Sequence, residues 1–142
     1  MSSENYIKER IDNQIIWYNH ESSKNKKWYY RLRILEIVFA LAIPFLSNIV
    51  IEESSWTLRI ISVLGLLIAF IASILSLLKF QENWVEYRST SENLKSEKLM
   101  FLSKSGPYNK DESYQILVQR IEEIITKENS KWYRLQIKST LK

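Results

Sequence analysis

Few residues in this chain are of the types that carry catalysis, and their spacing is not that of a reaction site. Among 142 residues there is no cysteine and one histidine. A cysteine nucleophile, a zinc–thiolate site, an iron–sulfur cluster and a disulfide scaffold are therefore excluded. A multi-histidine metal site cannot be built within one chain. His20-Glu21 lacks the second histidine of a zincin helix and reads as a solvated helix position. There is no Walker loop, no Gly-rich dinucleotide turn and no nucleophile elbow. The expectation is a protein that is not an enzyme and needs no metal or cofactor.

What the chain does carry is small, polar and ionisable residues set into or beside apolar runs. Ser62, Gly65, Ala69, Ala72 and Ser76 recur at spacings of three and four, which puts them on one helix face. Small faces let helices approach closely in lipid, so this one serves packing on a neighbouring helix of the same chain, packing between subunits, or the lining of a central path. Glu36, Ala40, Pro44 and Ser47, with Asn48 adjacent, form a comparable face in the preceding apolar segment. Pro44 removes one backbone hydrogen bond and frees the Ala40 carbonyl, which predicts a kink. An ionisable residue at membrane depth is a functional candidate by default; the structural alternative for Glu36 is an ion pair with Arg33 or Lys79 at the interface. Glu128 lies among Ile121, Ile125, Trp132 and Leu135 on an apolar face. It calls for a cation, for which Arg88 and Lys95 are candidates, either as a register-fixing ion pair or as a gating contact. Lys24, Lys26, Lys27, Arg31 and Arg33 cluster just ahead of the first apolar run. Near an anionic surface each is worth about 1 kcal/mol, and topology setting with lipid binding accounts for the cluster. No concentrated basic stripe remains for nucleic acid.

The elements that must position these residues are helices. The mean hydropathy of −0.21 conceals strong segregation, because Ile60 to Leu78 and Ile37 to Ile51 contain no charged residue. A hydrocarbon core of about 30 Å takes roughly 20 apolar residues in a helix. The sequence predicts a first transmembrane helix over 34–51, a loop over 52–57 and a second transmembrane helix over 58–80. Neither segment is a signal peptide, since both lie far from Met1. The loop carries Glu52 and Glu53 and no Lys or Arg, whereas residues 1–33 and 79–142 are rich in both. The positive-inside rule then places both termini in the cytoplasm, in a multi-pass protein of the cell membrane. Trp28, Tyr29, Tyr30, Trp56 and Trp84 suit interfacial positions.

Outside the spans, residues 5–33 carry Ile7, Ile11, Ile15 and Tyr18 at helical spacing, an amphipathic helix feeding the first span. The second span is expected to continue as one rod through a cytoplasmic stretch over 81–104, with Trp84, Tyr87, Ser91, Leu94, Lys98 and Leu102 on one face. Gly106-Pro107-Tyr108-Asn109 is a turn signal. A C-terminal helix over 110–138 follows, capped by Asp111 or Ser113, with Tyr114, Leu117, Val118, Ile121, Ile125, Trp132 and Leu135 as its stripe. The fold class expected is an all-α membrane protein of one domain: a transmembrane helical hairpin whose long helices extend into a cytoplasmic helical bundle.

With these residues in place, the chain resembles the SLATT superfamily, two-transmembrane effector domains associated with SMODS nucleotide cyclases and SLOG sensors, and more closely a bacterial domain-of-unknown-function branch of it. The resemblance rests on Arg10, Gln14, Trp17-Tyr18 and Ser23, on Arg31-Leu32-Arg33, Glu36 and Pro44, on Trp84, Tyr87-Arg88, Leu94, Glu97-Lys98 and Gly106-Pro107-Tyr108, and on Arg120-Ile121-Glu122, Glu128 and Trp132. It implies a pore-forming or membrane-perturbing effector of a bacterial conflict or anti-phage system, with no catalytic residue. One hairpin cannot enclose an aqueous pore, so the expected partners are the lipid bilayer and further copies of the chain in a homo-oligomer. With no sensor domain among the 142 residues, the trigger is expected from a nucleotide-sensing or other conflict-system protein in trans, or from a ligand of the bundle. The rival expectation is a non-conducting membrane anchor or adaptor whose cytoplasmic bundle recruits a partner.

Overall fold

A computed structural model describes the backbone of residues 3–49, 55–109 and 112–140, and the side chains of 4–48, 56–109, 112–127 and 130. Every regular element among the described residues is helical: α1 (Ser3–Tyr6), a π-helical stretch (Ile7–Asp12), α2 (Asn13–Ile49), α3 (Ser55–Leu78), α4 (Phe80–Leu102), a 3-10 turn (Gly106–Tyr108) and α5 (Ser113–Thr140). Two compact units result. One combines residues 1–23 with 84–142, and the other is 24–83.

The core of the first unit is built from Tyr6, Ile11, Ile15, Tyr18, Leu94, Tyr108, Leu117, Ile121 and Ile125. Ile11, Ile15 and Tyr18 are the expected stripe of the first helix. The π-helical stretch adds Tyr6, which periodicity alone does not identify. A turn that closes five residues on puts Tyr6 and Ile11 on one face, whereas an uninterrupted α-helix would bring the expected Ile7 there; Ile7 is partly buried at the edge of the core. In α4 the three-four series passes through Trp84, Tyr87, Ser91, Leu94 and Lys98 and ends on half-buried Phe101. Leu102, expected on that face, is 59% exposed. In α5 the stripe of Leu117, Ile121 and Ile125 is buried, with Tyr114 and Val118 at its edge. Side chains of Glu128, Trp132 and Leu135 lie outside the described residues.

The stop between α4 and the turn has a defined mechanism. The Ser105 N–H donates to the Met100 carbonyl (3.0 Å) and the Lys104 N–H to that of Phe101 (3.1 Å). This is a Schellman closure, with Lys104 in the left-handed region (φ 51°). Gly106 (φ 62°) and Pro107 then swing Tyr108 into the core, edge-on to Phe101 with ring centroids 5.7 Å apart. In α5 the Ile116 N–H reaches the Glu112 carbonyl at 3.2 Å, so Ser113 opens the helix rather than preceding it. Asp111 lies outside the described residues.

The second unit holds the apolar end of α2 and all of α3. Thr57, Ile61, Leu64, Ile68, Ile71 and Leu75 of α3 are the covered positions, spaced four and three apart. On α2 they are Tyr29, Leu32, Glu36, Phe39, Ile43 and Leu46, with the same spacing. Both series have the three-four spacing of a single face on a helix. Helix α2 runs on through Pro44 to Ile49. The single rod expected from the second apolar run to residue 103 is instead interrupted at Lys79, whose φ of 47° ends α3. Leu78 loses its helical partner there, and the Asn83 side-chain amide donates to its carbonyl at 3.1 Å. A left-handed non-glycine residue costs about 1–3 kcal/mol, and nothing in the apolar pattern of the sequence signals it.

Lys104→Gly is expected to stabilise the protein by about 0.5–1 kcal/mol, the relief of the left-handed penalty less the flexibility that glycine adds to the unfolded chain. Leu117→Ala, at a position with 0% exposure, is expected to cost about 2–5 kcal/mol. Thermal unfolding followed by circular dichroism in detergent checks both; a destabilised Lys104→Gly would refute the helix stop described.

Candidate functional site

The small residues of α3 do not share the covered face. Ser62, Gly65, Ala69 and Ser76 are exposed and Ala72 is half-buried, roughly a quarter-turn around the helix from Ile61, Leu64, Ile68 and Ile71. A Cβ placed on Gly65 meets no atom within 4 Å. The bulky β-branched and Leu positions are the covered ones, and most of the small ones border an open side. The Ser62 hydroxyl donates to the Leu58 carbonyl at 2.8 Å and that of Ser73 to Ala69 at 2.7 Å, so these hydroxyls are satisfied by their own helix.

On α2 the Glu36 face divides. Glu36 lies on the covered side, its side chain 16% exposed, and its carboxylate accepts from the Arg33 guanidinium at 2.8 Å. Ala40, Pro44, Ser47 and Asn48 are exposed, and the Ser47 hydroxyl donates to the Ile43 carbonyl at 2.9 Å. Of the two cations considered for Glu36, Arg33 is the partner, and Lys79 pairs with Glu82 at 3.4 Å. Lys24, Lys26, Lys27, Arg31 and Arg33 are all exposed.

Most of the exposed surface of α3 is apolar, with Arg59, Ser62, Ser73 and Ser76 as its polar positions. The stretch Trp56–Tyr108 contains an 18-residue window of mean hydropathy 2.7, of which 6% is buried. Among the described residues this is the one helix long and apolar enough to cross a membrane. The core helix of a water-soluble bundle would be covered by protein instead. At its start the Arg59 guanidinium lies 5.3 Å from the centre of the Trp56 ring, which gives that charge a cation–π partner.

In the first unit the ionic contacts differ from those considered from sequence. Arg88 and Lys95 both bind Glu92, each at 3.0 Å on the surface of α4, and Lys95 foremost holds the Glu92 carboxyl below its ordinary range. Glu128 is outside the described side chains. Two other carboxylates each bind a guanidinium and a tyrosine. Glu122 receives Arg10 through Nε (3.0 Å) and Nη2 (2.9 Å) and the Tyr6 hydroxyl at 3.1 Å. Glu97 receives Arg120 at 3.1 Å and the buried Tyr108 hydroxyl. The Lys98 ammonium meets Asp12 at 2.5 Å, and the Ser91 hydroxyl donates to Asn19 at 2.9 Å. These pairs fasten α5 to the N-terminal segment through Glu122 and to α4 through Arg120. Arg10, Glu97, Lys98, Tyr108, Arg120 and Glu122 carry part of the family resemblance. Their pairing joins residues as many as 112 positions apart, which no local pattern reveals.

The protonation of the Glu122 cluster follows from these bonds. The Arg10 hydrogen bond foremost, then the Tyr6 hydroxyl, holds the Glu122 carboxyl low, with burial opposing. Burial and the adjoining carboxylate push the Tyr6 hydroxyl up to about 12, and push that of Tyr108 higher still. Glu122 thus contributes stability above the unfolded carboxyl range that is lost as pH falls through its folded value. Tyr6 contributes stability below about pH 10 that is lost as pH rises toward 12.

The chain belongs to the family described as a protein of unknown function (DUF4231), whose model matches residues 13–115. Comparison with curated proteins and with solved structures gives no match.

The stability of the first unit is expected to weaken at both pH extremes. Glu122→Gln should remove part of the acid dependence and cost about 1 kcal/mol, a value discounted for the half-exposed pair. Tyr6→Phe should flatten the alkaline limb between pH 10 and about 12. Midpoints measured across pH for the two variants check this; identical profiles to the parent protein would refute the assignment.

Proposed function

Within the DUF4231 family, we propose that this chain is a two-span inner-membrane protein that assembles into a homo-oligomer and conducts ions, or breaches the membrane, when activated. The role is that of a pore-forming effector in a bacterial conflict or anti-phage system, with both termini cytoplasmic and the trigger supplied by a conflict-system protein, as the likeness to SLATT domains implies. The observation that carries the reading is the pairing of an uncovered apolar α3 with an uncovered small-residue face at Gly65 and Ala69. Small residues give no large apolar area to lipid, but they permit a second helix to come close. Ser62, Gly65, Ala69 and Ser76 would meet a neighbouring subunit, with Asn48, Pro44 and Ser47 toward the lumen.

A second reading is favoured by a different observation. Glu36 is already bound by Arg33, and the hydroxyls of Ser47 and Ser62 are bound by their own helices, an arrangement that suits a non-conducting anchor whose bundle recruits a partner.

Flux separates them. Purified full-length protein in liposomes carrying a potential-sensitive dye and dyes of graded size is expected to leak, with or without added nucleotides, and Glu36→Ala or Asn48→Leu to change that leakage at least tenfold. Gly65→Leu or Ala69→Leu should shift the assembly to smaller species on native gels. Tight liposomes under every condition would favour the anchor, and an oligomer unchanged by both substitutions would remove the small face from the interface.

A further inference from the structure

Opposite its covered series, α2 carries a second one: Lys24, Lys27, Arg31, Ile34, Val38, Leu41 and Phe45, again spaced three and four apart and exposed throughout. A straight helix keeps such residues on one face. The stripe changes character once, between Arg31 and Ile34. Before that point it presents three cations; after it come Ile34, Val38, Leu41 and Phe45, which are 58%, 52%, 66% and 67% exposed. Glu36 is the only carboxylate between residues 24 and 49, and it sits on the covered side. Trp28 and Tyr30, 47% and 49% exposed, flank the boundary with rings that have an apolar body and a polar tip, the chemistry of a membrane–water interface.

We propose that this stripe is the binding surface for an anionic phospholipid, a reading that rests on the membrane placement above. The headgroup phosphate lies against Lys27 and Arg31, with Lys24 adding positive potential, and an acyl chain runs along Ile34, Val38, Leu41 and Phe45. The dimensions agree. Eleven residues at 1.5 Å per residue carry the apolar part roughly 17 Å along the axis, close to one leaflet of a hydrocarbon core about 30 Å thick. The donors agree as well: a guanidinium presents a planar fork to phosphate oxygens and an ammonium a compact charge. A zwitterionic headgroup carries its own cation and gains little from three more. Arg33 is the cation bound to Glu36; Lys27 and Arg31, on the outer face, carry the selectivity.

The test uses the full chain in non-ionic detergent, titrated with phosphatidylglycerol, with phosphatidylcholine and with inorganic phosphate. Bound lipid is counted by native mass spectrometry, and the unfolding midpoint is followed in parallel. The expected result is a preference of at least tenfold, about 1.4 kcal/mol, for phosphatidylglycerol over phosphatidylcholine, with no response to inorganic phosphate. K27E/R31E should abolish the preference and K27Q/R31Q reduce it, each with an unchanged helical spectrum, while the charge-matched K104E/K127E keeps it. Equal binding of the two lipids, or a preference that survives K27E/R31E, would overturn the proposal. Stabilisation by inorganic phosphate alone would assign the site to a soluble anion instead and overturn it too. Alkaline extraction of membranes is run beside it: release of the parent protein would defeat the membrane-spanning reading itself, whereas retention with no lipid preference would defeat the stripe alone.

Discussion

Nine large apolar side chains of α3, from Trp56 to Leu78, stand exposed, and the free energy of that exposure is the constraint the rest of the chain has to meet. Burial of apolar surface is worth roughly 25 cal/mol per Å², so a surface of this kind in water would drive association at once. Two helices cannot cover each other on all sides. Each has one covered series, Ile61, Leu64, Ile68 and Ile71 on α3 and Leu32, Phe39, Ile43 and Leu46 on α2, and an uncovered apolar side. Hydroxyls in these helices bond to their own backbones, and Glu36 and Arg33 lie together near the end of the apolar run rather than within it.

The same constraint separates the chemistry of the two units. The first unit, built around Ile11, Leu94, Leu117 and Ile121, has polar groups on its margin and uses them as ties: Glu122 with Arg10 and Tyr6, Glu97 with Arg120 and Tyr108, Asp12 with Lys98. Each carboxylate is met by a cation, and two of them by a tyrosine hydroxyl as well. Such groups are half-exposed and individually weak, but together they select one register for α5 among those its apolar stripe would permit. A helix held by selective, modest bonds is also one that a partner could displace.

Much of the helical organisation was legible in the residues taken alone. The three-four spacing of Ile11, Ile15 and Tyr18 and of Leu117, Ile121 and Ile125, the break at Gly106-Pro107 and the uncharged run from Ile60 to Leu78 are all local patterns, and periodicity reports local patterns faithfully. The sites were less legible. The small face of α3 was visible as a face, but not whether it would be covered, because coverage depends on which side of α2 meets it. Arg88 and Lys95 were reasonable partners for a carboxylate, yet Glu92, one turn away on the same helix, holds both. Arg10 and Glu122 lie at opposite ends of the chain, and nothing in the neighbourhood of either names the other.

Composition and periodicity thus determined that the chain is helical, where its apolar segments lie, and that thiol and multi-histidine chemistry is outside its reach; these depend on residue type and on spacing within a turn or two. Tertiary structure decided the rest. It turned the six residues ahead of Asn13 through a π-helical stretch so that Tyr6 enters the core and Ile7 packs at its edge. It broke the expected rod at Lys79 and covered bulky rather than small residues of α3. Each of these outcomes compares the free energy of one packed arrangement with another, and that comparison is made between residues distant in sequence, where spacing carries no information.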